Sequence, residues 1–195
     1  MNKQQSSNLH LRTLYAPGFS FMTMSYYRTN YVHLILKLVP YIGVDKRGLS
    51  QYSKNHYIST SLAPDGAELL LTPVRSILNG TAPEKPIEVQ IACKSGKSLT
   101  FEYKPDPDRD NQISAFMVAK EGNLSIPFRF PIHQHDVWED GKMVTKVVLS
   151  GLGAFALTLD GYIRDSGAGN LSKLSDEELE KLQIPLIMGL GVKSI

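Results

Sequence analysis

Three short constellations in this chain hold residue types that could support catalysis or metal binding. In His133-Gln134-His135-Asp136, a His-x-His spacing in a strand would put both imidazoles on one side, and Asp136 could complete a metal site. The competing reading is a polar surface loop where a strand ends, and no second acid–histidine motif supports the metal. Asp106, Asp108 and Asp110 open like a calcium loop, but that loop then needs Gly at its sixth position and Glu at its twelfth. Asn111 and Met117 stand there, so the stretch reads as a solvated acidic loop. Pro64-Asp65 followed by Glu102-Tyr103-Lys104 matches the acids and lysine of a magnesium-dependent nuclease. Such enzymes carry both halves on adjacent strands, whereas a helix is expected to separate them here. Walker loops, dinucleotide fingerprints and nucleophile elbows are absent. No cofactor is therefore expected, and no metal beyond the His133, His135 and Asp136 candidates.

A fourth feature is broader. The stretch from Arg12 to Tyr57 holds seven of the nine tyrosines, together with Arg12, Arg28, Lys37, Lys46, Arg47 and Lys54, against the single acid Asp45. Residues 1–63 carry seven Lys/Arg and one acid, a net of +6, while the remainder carries 14 Lys/Arg against 18 acids, a net of −4. A polar sheet face could be rich in Tyr, Lys and Arg with no ligand at all. A merely solvated face would mix signs, however, and this one nearly lacks acids. Aromatic rings stack bases and lysine or arginine neutralises phosphates, so the composition points to an anionic, base-bearing partner.

The elements that must position these residues follow from periodicity and turn chemistry. At 195 residues with ordinary hydrophobic content, the chain can bury a core without metals or disulfides. The single cysteine, Cys93, excludes an internal disulfide and any cysteine zinc cluster; it fits a reducing, cytoplasmic compartment and reads as a core residue. No apolar run is long enough to span a bilayer; Val32–Val39 is interrupted by His33 and Lys37. Residues 1–10 read as a disordered polar tail, though their acid-free composition leaves organelle targeting open.

Alternation predicts strands over Phe19–Tyr27, Tyr31–Val39 and His56–Leu62, with a further short strand around Leu11–Tyr15. Pro40 is expected to end the second long strand, and Gly43–Lys54 reads as a basic loop. Helical spacing then runs from Pro64 to Leu78, with Pro73 predicting a kink or a restart capped by Thr72. Strands resume at Ile87–Cys93, Leu99–Tyr103, Ile113–Ala119 and Leu124–Ile132, the last marked as a sheet edge by Pro127 and Pro131. A second helix is expected over Val144–Ile163, where Gly151 and Gly153 each cost about 1 kcal/mol relative to Ala. A capping box at Ser175-Asp176-Glu177-Glu178 opens a short helix, and an apolar tail follows. The expected fold is α+β: two antiparallel strand blocks each followed by a helix, βββ(β)α-ββββα, in one domain over residues 11–165, with the short C-terminal helix and tail over 166–195.

Strand block, helix, strand block, helix is an order that resembles the Whirly, PUR-type and kinetoplastid MRP-like single-stranded nucleic-acid binders, from about Leu11 to Ile163. The resemblance is architectural: the Lys-Gly-Lys-Ala motif of plant Whirly proteins is absent, and no contact residue carries over. It implies strand binding on exposed sheet faces and helix packing between subunits. The expected function is a sequence-tolerant single-stranded DNA- or RNA-binding protein acting as a homo-oligomer, away from membranes. Tyr26, Tyr27, Tyr31 and Tyr57 would stack bases; Arg28, Lys37, Lys46, Arg47 and Lys54 would meet phosphates; Tyr52 belongs to the same surface. The alternatives are a metal-dependent enzyme such as a nuclease, and a non-catalytic phage or plasmid assembly protein.

Overall fold

The computed structural model describes residues 8–28, 32–82, 85–110 and 112–167. The class is α+β: among the described residues, 11 strands lie in antiparallel sheets with two helices. The first block contains β1 (Asn8–Ala16), β2 (Ser20–Arg28), β3 (Val32–Val44), β4 (Ser50–Tyr52) and β5 (Ile58–Leu62). β1, β2 and β3 lie side by side, and β5 and β4 take successive stretches of the far edge of β3. After α1 (Pro64–Leu78) come β6 (Ile87–Ala92), β7 (Lys97–Asp106), β8 (Gln112–Glu121) and β9 (Leu124–Arg129), a second sheet paired in chain order. β10 (His133–Glu139) and β11 (Lys142–Val148) form a separate ribbon, and α2 (Ser150–Gly167) follows.

Alternation decides which face of each sheet is buried. Met22, Met24 and Tyr26 of β2 join Leu34, Leu36 and Leu38 of β3 and Ile58 and Leu62 of β5 on the inward face. The second sheet answers with Leu99, Phe101, Met117, Ile126 and Phe128. Each such side chain contributes roughly 1.5–3 kcal/mol by leaving water. β9 lies against β2 and β3, where Ser20 Oγ donates to the Pro127 carbonyl at 2.6 Å. Pro127 suits this edge strand because it has no N–H to leave unpaired. The helices pack on one another, with Arg75 paired to Asp160 at their rim. Tyr162 of α2 lies 6.0 Å from the Tyr26 ring and donates its hydroxyl to the Leu62 carbonyl at 3.0 Å, tying α2 to the first sheet.

Several local expectations are corrected. β3 does not stop at Pro40 but runs on to Val44. Pro40 falls between the part of β3 paired with β5, which ends at Leu38, and the part paired with β4, which starts at Tyr41, so its missing N–H breaks no ladder bond on that edge. The basic loop over Gly43–Lys54 is therefore largely a hairpin. α1 continues through Pro73. Thr72 does not cap a new helix; its Oγ1 donates back to the Glu68 carbonyl at 3.1 Å, and Leu69, whose carbonyl loses its partner, lies on the exposed side.

The largest difference concerns residues 133–149. The expected surface loop at His133–Asp136 is strand β10, and Val144 and Val148 lie in β11 rather than in a helix. Glu139 pairs with Lys142 across Asp140-Gly141, whose φ values of 49° and 74° make the two-residue turn that a tight hairpin requires. β-branched residues between Val144 and Val148 then favour strand over helix, and α2 begins only at Ser150. At the other end β1 begins at Asn8, inside the expected tail; residues 1–7 and the expected C-terminal helix and tail from 168 onward lie outside the described residues.

Candidate nucleic-acid interface

The outward face of the first sheet is built by the residues that alternate with its core. Tyr15, Phe21 and Val39 face one another across β1, β2 and β3; Thr13, Thr23, Lys37 and Ser59 form the next row; Ser25, Ile35 and Ser61 the next; Tyr27 and His33 the last. A register shift between His10 and Arg12 puts His10 on this face too, where its Nε2 lies 3.1 Å from Thr13 Oγ1. None of the five strands contains an Asp or Glu. The face follows β3 from His33 to Val44, roughly 35 Å at about 3.3 Å per residue. The second sheet differs: its strands carry Glu88, Glu102, Asp106 and Glu121 among their lysines and arginines.

The structure strings most of the predicted contact residues along this face. Tyr27 stands at one end, 37% exposed. Arg28 follows it at the last position of β2, paired in register with Val32; its side chain and all of Tyr31 lie outside the described residues. In the middle, Tyr57 is 43% exposed, and the Lys37 ammonium sits 3.8 Å from its ring centroid. The two predicted contacts thus engage each other in the free protein. Such a cation–π pair at an exposed site is worth about 0.5–1 kcal/mol, less than the roughly 1–3 kcal/mol of a stacked base. At the far end Tyr52 packs edge-on against Phe21 at 4.9 Å, with Tyr15 and Tyr41 about it. It stiffens the face rather than offering a free ring. Lys46, Arg47 and Lys54 are exposed around the β3–β4 hairpin.

Tyr26 is a correction. It lies on the inward face, 2% exposed, against Tyr162, and burial pushes its hydroxyl well above the ordinary tyrosine range. Neighbouring tyrosines on one strand point to opposite faces, so only one of Tyr26 and Tyr27 can meet a ligand on the outer surface.

The lone acid of the basic stretch is structural. Asp45 Oδ1 accepts from the amides of Arg47 (2.8 Å) and Leu49 (2.9 Å), and Oδ2 from the Arg47 guanidinium at 3.3 Å. The Leu49 amide first, then the Arg47 amide and guanidinium, hold its carboxyl below the ordinary range. Asp45 thus sets the hairpin turn and spends part of the charge of Arg47.

The competing constellations fare differently. Among the described residues no group of three or more His, Cys, Asp and Glu could hold a metal. Because His133–Glu139 is a strand, positions 133 and 135 share a face and position 136 belongs to the other; the histidine side chains lie outside the described residues. Asp106 is not a solvated loop acid: it is 2% exposed, accepts from Arg129 Nη1 at 3.0 Å and caps the next turn through the Asp108 amide at 3.1 Å. Arg129 in turn covers Phe19, 4.7 Å from its centroid. Glu102 and Lys104 pair with each other on β7, while Asp65 opens α1 and lines a cleft that includes neither of them.

Sequence reasoning missed Tyr15, 55% exposed on the outward face, and His33 beside Tyr27. Continuing the alternation of β2 into β1 places Tyr15 opposite Phe21, so the signal was present. It also missed Lys94, which reaches the sheet from the β6–β7 turn and lines a cleft with Tyr27 and His33; nothing local in the sequence places these together. Among the described residues no helix is long and apolar enough to cross a membrane. No protein-family model, no curated protein and no solved structure matches the chain.

Proposed function

We propose that this chain is a single-stranded nucleic-acid-binding protein, largely indifferent to sequence, acting as a homo-oligomer. The strand lies along the outward face of the first sheet. One observation carries the reading: a five-stranded face without a single acid, bearing exposed Tyr15, Tyr27 and Tyr57 with Lys37 among them. Rings take bases without regard to sequence because every base has a π-face, and lysine and arginine follow the backbone. The order of strand block, helix, strand block, helix is the feature on which the resemblance to Whirly, PUR-type and MRP-like proteins rests.

The test is anisotropy of a labelled unstructured oligonucleotide and of a duplex across salt concentrations. If Lys37, Lys46, Arg47 and Lys54 each meet a phosphate, log K falls against log salt with a slope of about −3, close to fiftyfold between 50 and 200 mM. The duplex binds more weakly. Absent binding, or affinity indifferent to salt, overturns the proposal.

A further inference from the structure

We propose that the cleft between the β5 edge and the β6–β7 turn is a site for one nucleoside monophosphate unit, with Lys94 on the phosphate and Tyr27 against the base. The inference rests on the nucleic-acid reading above and gives it a discrete subsite. A hollow of about 340 Å³ lies where Tyr27, His33, Ser59 and Ser61 of the first sheet meet Lys94, Ser95 and Lys97. A second hollow of about 440 Å³ runs on to Asp65 and Gly66 at the start of α1 and shares His33, Ser61 and Lys94 with the first. These volumes lie in the range of roughly 300–1,000 Å³ that suits small ligands.

The chemistry of the walls gives the groove a direction. Lys97 is committed: its Nζ donates to the Ser59 carbonyl at 3.0 Å and pairs with Glu121 at 3.2 Å, which staples the turn to β5 and sets the width of the cleft. Lys94 has no partner among the described residues and stands at the junction of the two hollows. A lysine ammonium there is a compact charge for a phosphate, with the hydroxyls of Ser61 and Ser95 and the His33 ring around it. Asp65 is the single acid among the lining residues described, and it accepts from the Gly66 amide at 2.9 Å. It keeps an anion away from the α1 end and toward Lys94. Tyr27 and His33 are register partners at the edge of the open face, so a base on Tyr27 is continuous with a strand on the sheet. Ser95 has φ 64° and ψ 34°, a left-handed conformation uncommon for a serine, beside Gly96 in the turn that presents Lys94.

The experiment is calorimetric titration of the full chain with deoxythymidine monophosphate, thymidine and inorganic phosphate. The monophosphate saturates one site, and the other two bind at least about tenfold more weakly, because each lacks one of the two contacts. Lys94→Glu weakens the monophosphate by about tenfold or more, the scale of one charge-assisted contact. Lys142→Glu, an equal charge change on the separate β10–β11 ribbon, leaves it unchanged. No monophosphate binding, binding no better than phosphate alone, or equal effects of the two variants overturns the proposal. Adding a deoxythymidine oligomer separates the sources: displacement identifies the unit as part of a bound strand, and simultaneous binding identifies a free mononucleotide; both support the site. Oligomer binding without monophosphate binding sinks the cleft and leaves the sheet face standing. Monophosphate binding without oligomer binding does the reverse.

Discussion

Replacing either of two glycines in α2 by alanine should move stability in opposite directions. Gly151 and Gly153 lie two residues apart in the first turns of the helix, and neither has a positive φ, so alanine suits the backbone at both. At Gly153 a Cβ meets nothing within 4 Å, and the substitution gains up to about 1 kcal/mol of helix propensity. At Gly151 a Cβ would stand 2.6 Å from Cδ and 3.0 Å from Cγ of Pro131, atoms of a closed ring that cannot swing aside. Overpacking of this kind costs about 1–3 kcal/mol, which outweighs the same propensity gain. For a chain of this size each kcal/mol moves the melting temperature by about 2–4 °C. Gly153→Ala should therefore melt above wild type, by at most about 2–4 °C, and Gly151→Ala below it, by calorimetry, with urea midpoints moving the same way. Two shifts of the same sign would refute the argument that Pro131 sets the approach of α2 to the second sheet.

Three further outcomes follow from single contacts. Arg129→Ala leaves the buried carboxylate of Asp106, among the described residues, with only the Arg109 guanidinium at 3.9 Å and the Asp108 amide, and should cost about 3 kcal/mol in urea unfolding, with Arg129→Ala/Asp106→Ala recovering part of the loss; a variant as stable as wild type would contradict it. Tyr162→Phe removes a buried hydroxyl bonded to the Leu62 carbonyl and should cost about 1 kcal/mol, and unchanged stability would show that the bond is idle. Because the fold lowers the Asp45 carboxyl, its hairpin contribution is complete above the unfolded value of about 3.9 and is lost as pH falls through the lower folded value. The Arg47 and Leu49 amide resonances should then titrate together with a midpoint below that value, and a midpoint at or above it would be contrary.

Periodicity was legible wherever one face of an element meets the core and the other meets water. Pro64–Leu78 could be read directly, since Leu70, Val74 and Ile77 mark one helical face and Pro64 its first turn. The hairpin of β8 and β9 is announced by Gly122-Asn123 ahead of the alternating run of β9, whereas β8 is buried on both faces from Ser114 to Ala119 and shows no alternation. The segment 133–149 was misread because Val144 and Val148 also fit the four-residue spacing of the helix beyond. Asp140-Gly141 was the better signal, as a two-residue turn fixes the register on both sides of it.

The amino-acid sequence by itself determined the α+β class, the gathering of aromatic and basic residues before residue 63, and the single acid among them, because these are properties of composition and alternation. Only the tertiary structure decided which of two neighbouring tyrosines faces outward. Alternation pairs Tyr26 with Met22 and Met24, but which face is inward depends on where α2 brings Tyr162. Tertiary structure alone also set Lys37 on Tyr57, took Asp106 out of solvent, and carried Lys94 to the side of His33. Each of these joins residues distant along the chain, and local periodicity carries no information about such pairs. The basic, tyrosine-rich stretch was visible in the sequence; its division into a buried half, a stiffening aromatic cluster and an open face was a consequence of packing.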